Sequence, residues 1–420
     1  MSYLANIKNA LSTYATETDD RAIILKGAWG TGKTHLWEQV VLEKRDSFKK
    51  RNYSYVSLFG INNLKDLKRT LFENKVLSDK AHLGPNESSL ADNIKDLGTR
   101  SAGWWRKGTS LLNEVSAFGF KGFGPAIEAL QFLRVTDTLI VLDDFERKGS
   151  NLQDREVLGL VSLLIESKNC RVIMLLNEEG LSDEYFSYHE KVFDYEIKFT
   201  PTPEDAASIV FGSPNGVLEI LAKNCIKLKI NNIRLLKKIS YYANLIIKPI
   251  EKADNRIASQ AFHVLPLAIL SIYGGKESKV DINFILNGSS QRPMPNGNEN
   301  EIDAEEEKRI EEEEKKSDYL RNYGFYQADE FDASIIEFIK KGYVETHTLE
   351  IIIKAVEDKI LHENQILKLR KAWETFHRSF QDDEENVVRA FSEAITSGLH
   401  AFSIREHSTQ LLLFSMISIG

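Results

Sequence analysis

Several things are scarce in this 420-residue chain, and each scarcity removes a class of protein. It has two cysteines, Cys170 and Cys225, too few for a disulfide scaffold and without the spacing of a metal site. Both lie in apolar-rich stretches and read as core residues. No run of 18 uncharged apolar residues occurs, so a membrane-spanning helix is not expected. The opening residues lack a positive region followed by an apolar stretch, so no signal peptide is expected and the expected compartment is a reducing cytoplasm. Positive charge is also short. With 54 Lys and Arg against 62 Asp and Glu, the net charge of −8 argues against a protein built to coat nucleic acid. A local basic groove stays compatible with that value, because net charge does not report distribution. Apolar residues at 42% and charged ones at 28% are ordinary for a globular chain, and the length suffices for two or three domains.

What the chain does have is one specific loop. Gly27-Ala28-Trp29-Gly30-Thr31-Gly32-Lys33-Thr34 matches G-x-x-x-x-G-K-[ST] at every fixed position, the signature of a phosphate-binding P-loop. Glycines let such a loop turn tightly and aim successive N–H groups into an anion-sized concavity. Lys33 brings a compact charge to the β- and γ-phosphates of a nucleotide, and the Thr34 hydroxyl is placed to ligate Mg²⁺. The apolar run Ala22-Ile23-Ile24-Leu25 precedes the loop as a buried strand, and a helix over His35–Leu42 follows, its positive end toward the phosphates. Residues 27–34 with His35 are therefore the candidate ATP-binding residues.

A second constellation lies downstream. Thr138-Leu139-Ile140-Val141-Leu142 runs into Asp143-Asp144-Phe145-Glu146-Arg147, a buried strand ending in acids at the edge where open α/β sheets bind ligands. Asp143 is the candidate Mg²⁺-side acid beside Thr34, and Asp144 the group that orients the attacking water, with Glu146 the second candidate. Arg171–Leu176 is another buried strand, and Asn177 at its end is the candidate water-positioning polar residue, the role called sensor 1. Strands are also expected over Tyr53–Gly60 and Val192–Phe199, and helices over 3–15, from Leu64 to Leu77 and over Arg155–Ser167. The expected fold is an α/β P-loop NTPase core with a five-stranded parallel sheet flanked by helices, followed by an all-α lid and a C-terminal helical domain. The expected domains are 1–203, with an insertion at about 78–133, then 204–286, a charged linker over 287–318, and 319–420.

Within the insertion, residues 102–125 interleave glycine with aromatics beside basic residues: Trp104-Trp105-Arg106-Lys107 and Phe118–Pro125. They read as packing on their own domain, with peripheral membrane contact or stacking on nucleic acid as the alternatives. In the helical half, Asn232 is the candidate N-cap of a helix whose Arg234 and Lys237 share a face, as a lid that places charge on a nucleotide requires. The run Glu299–Lys316 is expected to be a solvated helix or disordered. Helices are expected over Leu349–Ile360, Ile366–Phe380 and Val387–Ile404, with Trp373, Phe376 and Phe380 spaced for a helix–helix core. His347, His362 and His377 lack metal spacing, and His400 and His407 form no nucleophile pair.

Gly27-x-Trp29-Gly30-x-Gly32-Lys33-Thr34, with tryptophan inside the loop, resembles the KAP family of P-loop NTPases, a STAND/AAA-like branch. Asp143–Arg147 is similar to that family's acidic strand end, with Glu146 where an aspartate is usual. Glu190-Lys191-Val192 before Pro201 and Pro203, and Asn232-Ile233-Arg234 with Lys237, look like its last strand and lid helix. The resemblance covers roughly residues 1–245. It implies a five-stranded ATPase core, ATP-driven switching or assembly, and a setting in bacterial defence against phage or in signalling. The function expected is Mg²⁺-dependent ATP hydrolysis coupled to conformational change or assembly. An arginine from a neighbouring subunit, Arg147 or Arg155, would complete the site in a homo-oligomer. The alternatives are a nucleotide-gated scaffold that recruits an effector protein through the C-terminal helices, and a nucleic-acid-stimulated motor or loader.

Overall fold

The computed structural model describes residues 3–100, 124–287, 304–378 and 384–396. The chain divides into two compact units, Met1–Ile209 with Asn231–Arg234, and Val210–Ile230 with Leu235–Gly420.

The first unit is built on a six-stranded sheet: β1 (Ala22–Lys26), β2 (Asn52–Ser57), β3 (Lys75–Leu77), β4 (Thr138–Asp143), β5 (Arg171–Leu176) and β6 (Tyr195–Lys198). Their order is β3-β2-β4-β5-β1-β6. Every pairing is parallel except β2 with β3. Strands β4 and β5 are buried along their whole length, which is why they read as continuous apolar runs rather than alternating ones. Successive residues go to opposite faces. Ile24, Ile140, Leu142, Val172 and Met174 join the core on one side, while Ile23, Leu25, Leu139, Val141 and Ile173 join the other. The second face is covered by α1 (Tyr3–Thr16) and α2 (Lys33–Lys44), through Leu11, Tyr14, Trp37 and Val40. The first is covered by α3 (Leu64–Glu73) and by the helix Asp154–Lys168. Each fully buried Leu, Ile or Phe contributes about 1.5–3 kcal/mol, so this two-faced core anchors the sheet beneath its loops.

Two expectations are corrected here. The helix expected from Leu64 to Leu77 stops at Glu73, and the sheet has a sixth strand. Asn74 caps the helix, and its Nδ2 donates to the Tyr55 carbonyl at 2.9 Å. That ties the chain to β2, so Lys75-Val76-Leu77 falls antiparallel onto its edge. The apolar spacing that argued for helix, Leu67, Leu71 and Phe72, ends before this point. The last strand is also shorter than its alternating pattern: Phe193 and Phe199 pack into the core just outside it.

The second unit is helical among the described residues. Its centre is Asn255–Tyr273, which buries Phe262, Leu265 and Leu267 and accommodates Pro266. This is the one helix among the described residues long and apolar enough to cross a membrane, and 61% of that window is buried inside the fold, so it is a core helix. The charged run is helical over Ala304–Tyr323, with Arg309–Glu313 and Glu311–Lys315 paired one turn apart. Thr346–Arg378 is one continuous helix where two were expected, since nothing between Ile360 and Ile366 breaks it. Trp373 meets Phe391 edge-on at 5.4 Å, yet Phe376 is exposed, so the aromatic triplet is only partly a core. The helix expected over Val387–Ile404 is described as Glu384–Thr396. Residues 101–123 of the glycine- and aromatic-rich stretch, 288–303 of the linker, Phe380, His400 and His407 lie outside the described residues.

Candidate functional site

The loop from β1 to α2 sits at the carboxyl end of the sheet. Gly30 and Gly32 both adopt left-handed backbone, φ +75° and +96°, which residues with a Cβ rarely do. Neither has room for one. A Cβ at Gly30 would lie 2.1 Å from Asn232 Oδ1, and one at Gly32 would lie 2.3 Å from Ile233 Cδ1. Thr31 is buried and pins the loop by donating from Oγ1 to the Ala28 carbonyl at 2.8 Å. Lys33 folds across the loop and donates from Nζ to the carbonyls of Gly27 at 2.7 Å and Ala28 at 3.1 Å. Burial holds this ammonium below the usual lysine range; Glu146, Asp143 and Asp144 pull the other way, and nearby Arg234 adds to the lowering. A buried cation held by neutral carbonyls gains from an anion brought against it.

Asp143 ends β4, 4% exposed, with donors on both carboxylate oxygens. Oδ2 accepts from Thr34 Oγ1 at 2.7 Å and from the Tyr55 hydroxyl at 2.6 Å, while Oδ1 accepts the Asp144 amide at 2.8 Å. Burial first, then the charges of Asp143 and Asp144, keeps the Tyr55 phenol protonated far above its ordinary range, so it acts as a donor. Asp144 has left-handed backbone, φ 56°. Its Oδ2 accepts from Ser57 Oγ at 2.9 Å, and its Oδ1 lies 3.6 Å from Arg147. Glu146 Oε2 accepts the Asn177 amide at 3.1 Å, and Asn177 Oδ1 accepts the Glu179 amide at 3.2 Å.

Lys33, Thr34, Asp143, Asp144, Glu146 and Asn177, which come from three strand ends, are thus gathered around one loop. Arg234 joins them through Trp29, whose ring centroid lies 5.5 Å from its guanidinium carbon. His35 is half-buried and faces Glu38, at 3.8 Å, along its own helix. Arg155 faces Glu184 at 3.7 Å. Three residues were not anticipated: Tyr55 and Ser57 on β2, and Asn232 as the neighbour of Gly30. The signal for the first two is polar side chains at the carboxyl end of a strand otherwise built to be buried.

The donor set suits magnesium-bound ATP. Thr34 and Asp143 offer one hydroxyl and one carboxylate, and no group of three or more acidic, His or Cys side chains that would hold a metal alone occurs among the described residues. Such a pair matches Mg²⁺, which keeps several waters and takes further oxygens from substrate phosphates. A separate cleft of about 470 Å³ involves Arg51, Lys75, Lys80 and Arg134. It lies by the first residues of β2 and β4, at the opposite end of the sheet from the loop.

No family model matches the chain, and no curated protein does. Among solved structures it is similar to Cdc6p from Pyrobaculum aerophilum, at 13% identity over 85% of this chain and 93% of that one, TM-score 0.36. It is similar to the Orc1 protein of Aeropyrum pernix, solved in complex with DNA, at 12% identity over 80% and 82%, TM-score 0.32. PCH-2 of C. elegans shares 15% identity over 58% and 63%, TM-score 0.29. With TM-scores this low, the functional reading rests on the geometry of the loop and its acids.

Proposed function

We propose that this chain binds Mg²⁺-ATP at the β1–α2 loop and hydrolyses it. The observation that carries the reading is the 2.7 Å bond from Thr34 Oγ1 to Asp143 Oδ2, flanked by the Lys33 ammonium. Residues 109 apart in sequence meet there, as the two halves of a metal–phosphate site would. Magnesium-bound ATP supplies the transferable phosphoryl group and the Lewis acid. Lys33 and the loop amides would bind phosphate oxygens, Thr34 and Asp143 would hold the metal, and Asp144 would orient water and take its proton. Asn177 would help position that water, and Arg234 would report on the γ-phosphate. Residues 204–286 would serve as the lid that follows nucleotide state. The test is phosphate release with ATP and Mg²⁺, wild type beside Lys33→Ala, at several protein concentrations. Turnover lost in the variant supports the reading, and a rate that rises with concentration supports an assembly in which Arg155 reaches a neighbour.

One observation favours a slower device. Asp144 is committed to Ser57 and Arg147, and Glu146 to the Asn177 amide, so both acids are held in this state. In that second reading the chain is a nucleotide-gated scaffold for an effector protein. Tight ATP binding without phosphate release would select it. The KAP-like motifs add a finer proposal, a role in defence against phage, which loss of protection in Lys33→Ala cells under phage challenge would support.

A further inference from the structure

Arg147 has no part in the chemistry assigned above, yet the structure encloses it from three sides. Its guanidinium carbon lies 4.0 Å from the Phe59 ring centroid and 5.0 Å from that of Trp29, and its Nη1 lies 3.6 Å from Asp144 Oδ1. Phe59 is 61% and Trp29 48% exposed, the latter also facing Arg234, so the core does not explain where the two rings stand. The backbone beneath is laced tight. Leu58 N–H donates to the Asp143 carbonyl at 2.7 Å, Arg147 N–H to that of Asp144 at 2.9 Å, and Phe59 bridges Lys148. Phe59 and Arg147 therefore rise from one fixed base, while Trp29 belongs to the phosphate loop. A guanidinium can stack on rings and meet a carboxylate at its edge at once, which an ammonium cannot.

We infer that Arg147 is a positioning residue for its own chain's site: braced between Trp29 and Phe59, it directs the Asp144 carboxylate and couples it to the phosphate loop. The inference rests on the hydrolysis reading of this site. Asp144 needs such direction, because its left-handed backbone is one that residues other than glycine adopt at a cost, and among the described residues Ser57 alone holds its other oxygen. It follows that Arg147 is not an arginine lent to a neighbouring subunit.

The test combines steady-state ATP hydrolysis with calorimetric ADP binding on the full-length chain. Arg147→Ala is expected to lower kcat at least tenfold, with KM and the ADP Kd within threefold of wild type. Arg147→Lys, which keeps the charge and loses the planar face, is expected to give no rescue. Phe59→Leu is expected to fall between. Added to Asp144→Asn, Arg147→Ala should cost nothing more, since it acts through that carboxylate. Mixing Arg147→Ala with Lys33→Ala should recover no activity. Recovery in the mixture, a kcat within twofold of wild type, or parallel losses in kcat and ADP affinity would each overturn the inference while wild-type turnover, lost in Lys33→Ala, leaves the hydrolysis reading standing. Wild-type protein that binds ADP but releases no phosphate from ATP would overturn both.

Discussion

The Ile233 amide donates to the Gly30 carbonyl at 2.7 Å, and this bond joins the first residue of the helix Ile233–Ile250 to the phosphate loop. Its neighbours reinforce it. Asn232 crowds the Cα of Gly30, and its Oδ1 is fixed by the Arg234 amide at 3.0 Å, so it cannot yield cheaply. Gly30→Ala is therefore expected to weaken nucleotide binding by about tenfold or more, on the order of 1.4 kcal/mol or above. Adding Asn232→Gly should return part of that loss, because it clears the collision while the left-handed backbone keeps a cost of roughly 1–2 kcal/mol. Titration of ADP into the three proteins checks it. Equal affinities in Gly30→Ala and wild type would show that the loop opens away from Asn232.

Lys33→Met separates function from stability. The buried ammonium is held below the usual lysine range by desolvation, so the folded state gains little from its charge at neutral pH. The melting temperature without nucleotide is expected to stay within about 4 °C of wild type, a change of roughly 1 kcal/mol or less. The rise on adding Mg²⁺-ATP, about 2.7 kcal/mol at a hundredfold excess over Kd for a single site, should vanish. A variant that still gains stability from Mg²⁺-ATP would place the phosphates elsewhere.

The loop and the paired acids were legible in sequence because each is a contiguous run whose chemistry fixes its spacing. Strands β4 and β5 were legible for a related reason: burial on both faces keeps Leu139–Leu142 and Val172–Leu176 apolar up to Asp143 and Asn177. Tyr55 and Ser57 were not, because they act on Asp143 and Asp144 only once β2 lies beside β4, with Ser57 level with Asp143. The missed strand β3 has the same cause, since three residues take strand form only against β2, to which the Asn74 side chain helps fasten them. Asn232 was readable as a cap, which it is, but its second task at Gly30 needed the fold.

In the second unit, Asp332 gives a pH dependence with a definite sign. Burial pushes its carboxyl up to about 6; the Gln260 bond at 3.0 Å opposes this and Asp329 adds to it. A carboxyl whose folded pKa is raised favours folding when protonated. Its contribution is full below the unfolded value near 3.8 and is lost as pH rises through about 6. Asp332→Asn removes the charge and keeps one acceptor oxygen for the Asp329 amide, while Gln260, which donates from Nε2 here, must turn its amide to meet the new NH2. It is expected to raise stability at pH 7 by up to roughly 3 kcal/mol and to flatten the pH dependence of that unit's melting between 4 and 7. Urea melts across that range decide it; an unchanged slope would mean that Asp332 titrates normally.

Arg171 opens β5 with no exposure to solvent, and its guanidinium is only partly answered. Nη2 reaches Glu17 Oε2 at 3.3 Å and the Tyr14 ring lies 4.2 Å away, but Nε and Nη1 have no hydrogen-bond partner among the described residues. A buried cation with one ion pair and two unmet donors costs more in desolvation than its pairing returns, whereas an apolar side chain of similar length costs nothing of the kind. Arg171→Met is therefore expected to stabilise the first unit by about 1–4 kcal/mol. Glu17→Gln, which leaves the charge buried with a weaker acceptor, is expected to destabilise it, by up to about 3–5 kcal/mol. The pair of opposite signs is the discriminating outcome, read by thermal melting with nucleotide turnover as the check on the site. If both variants lost stability equally, water bound at Nε and Nη1 would be satisfying the guanidinium, and Arg171 would be a net contributor to the fold.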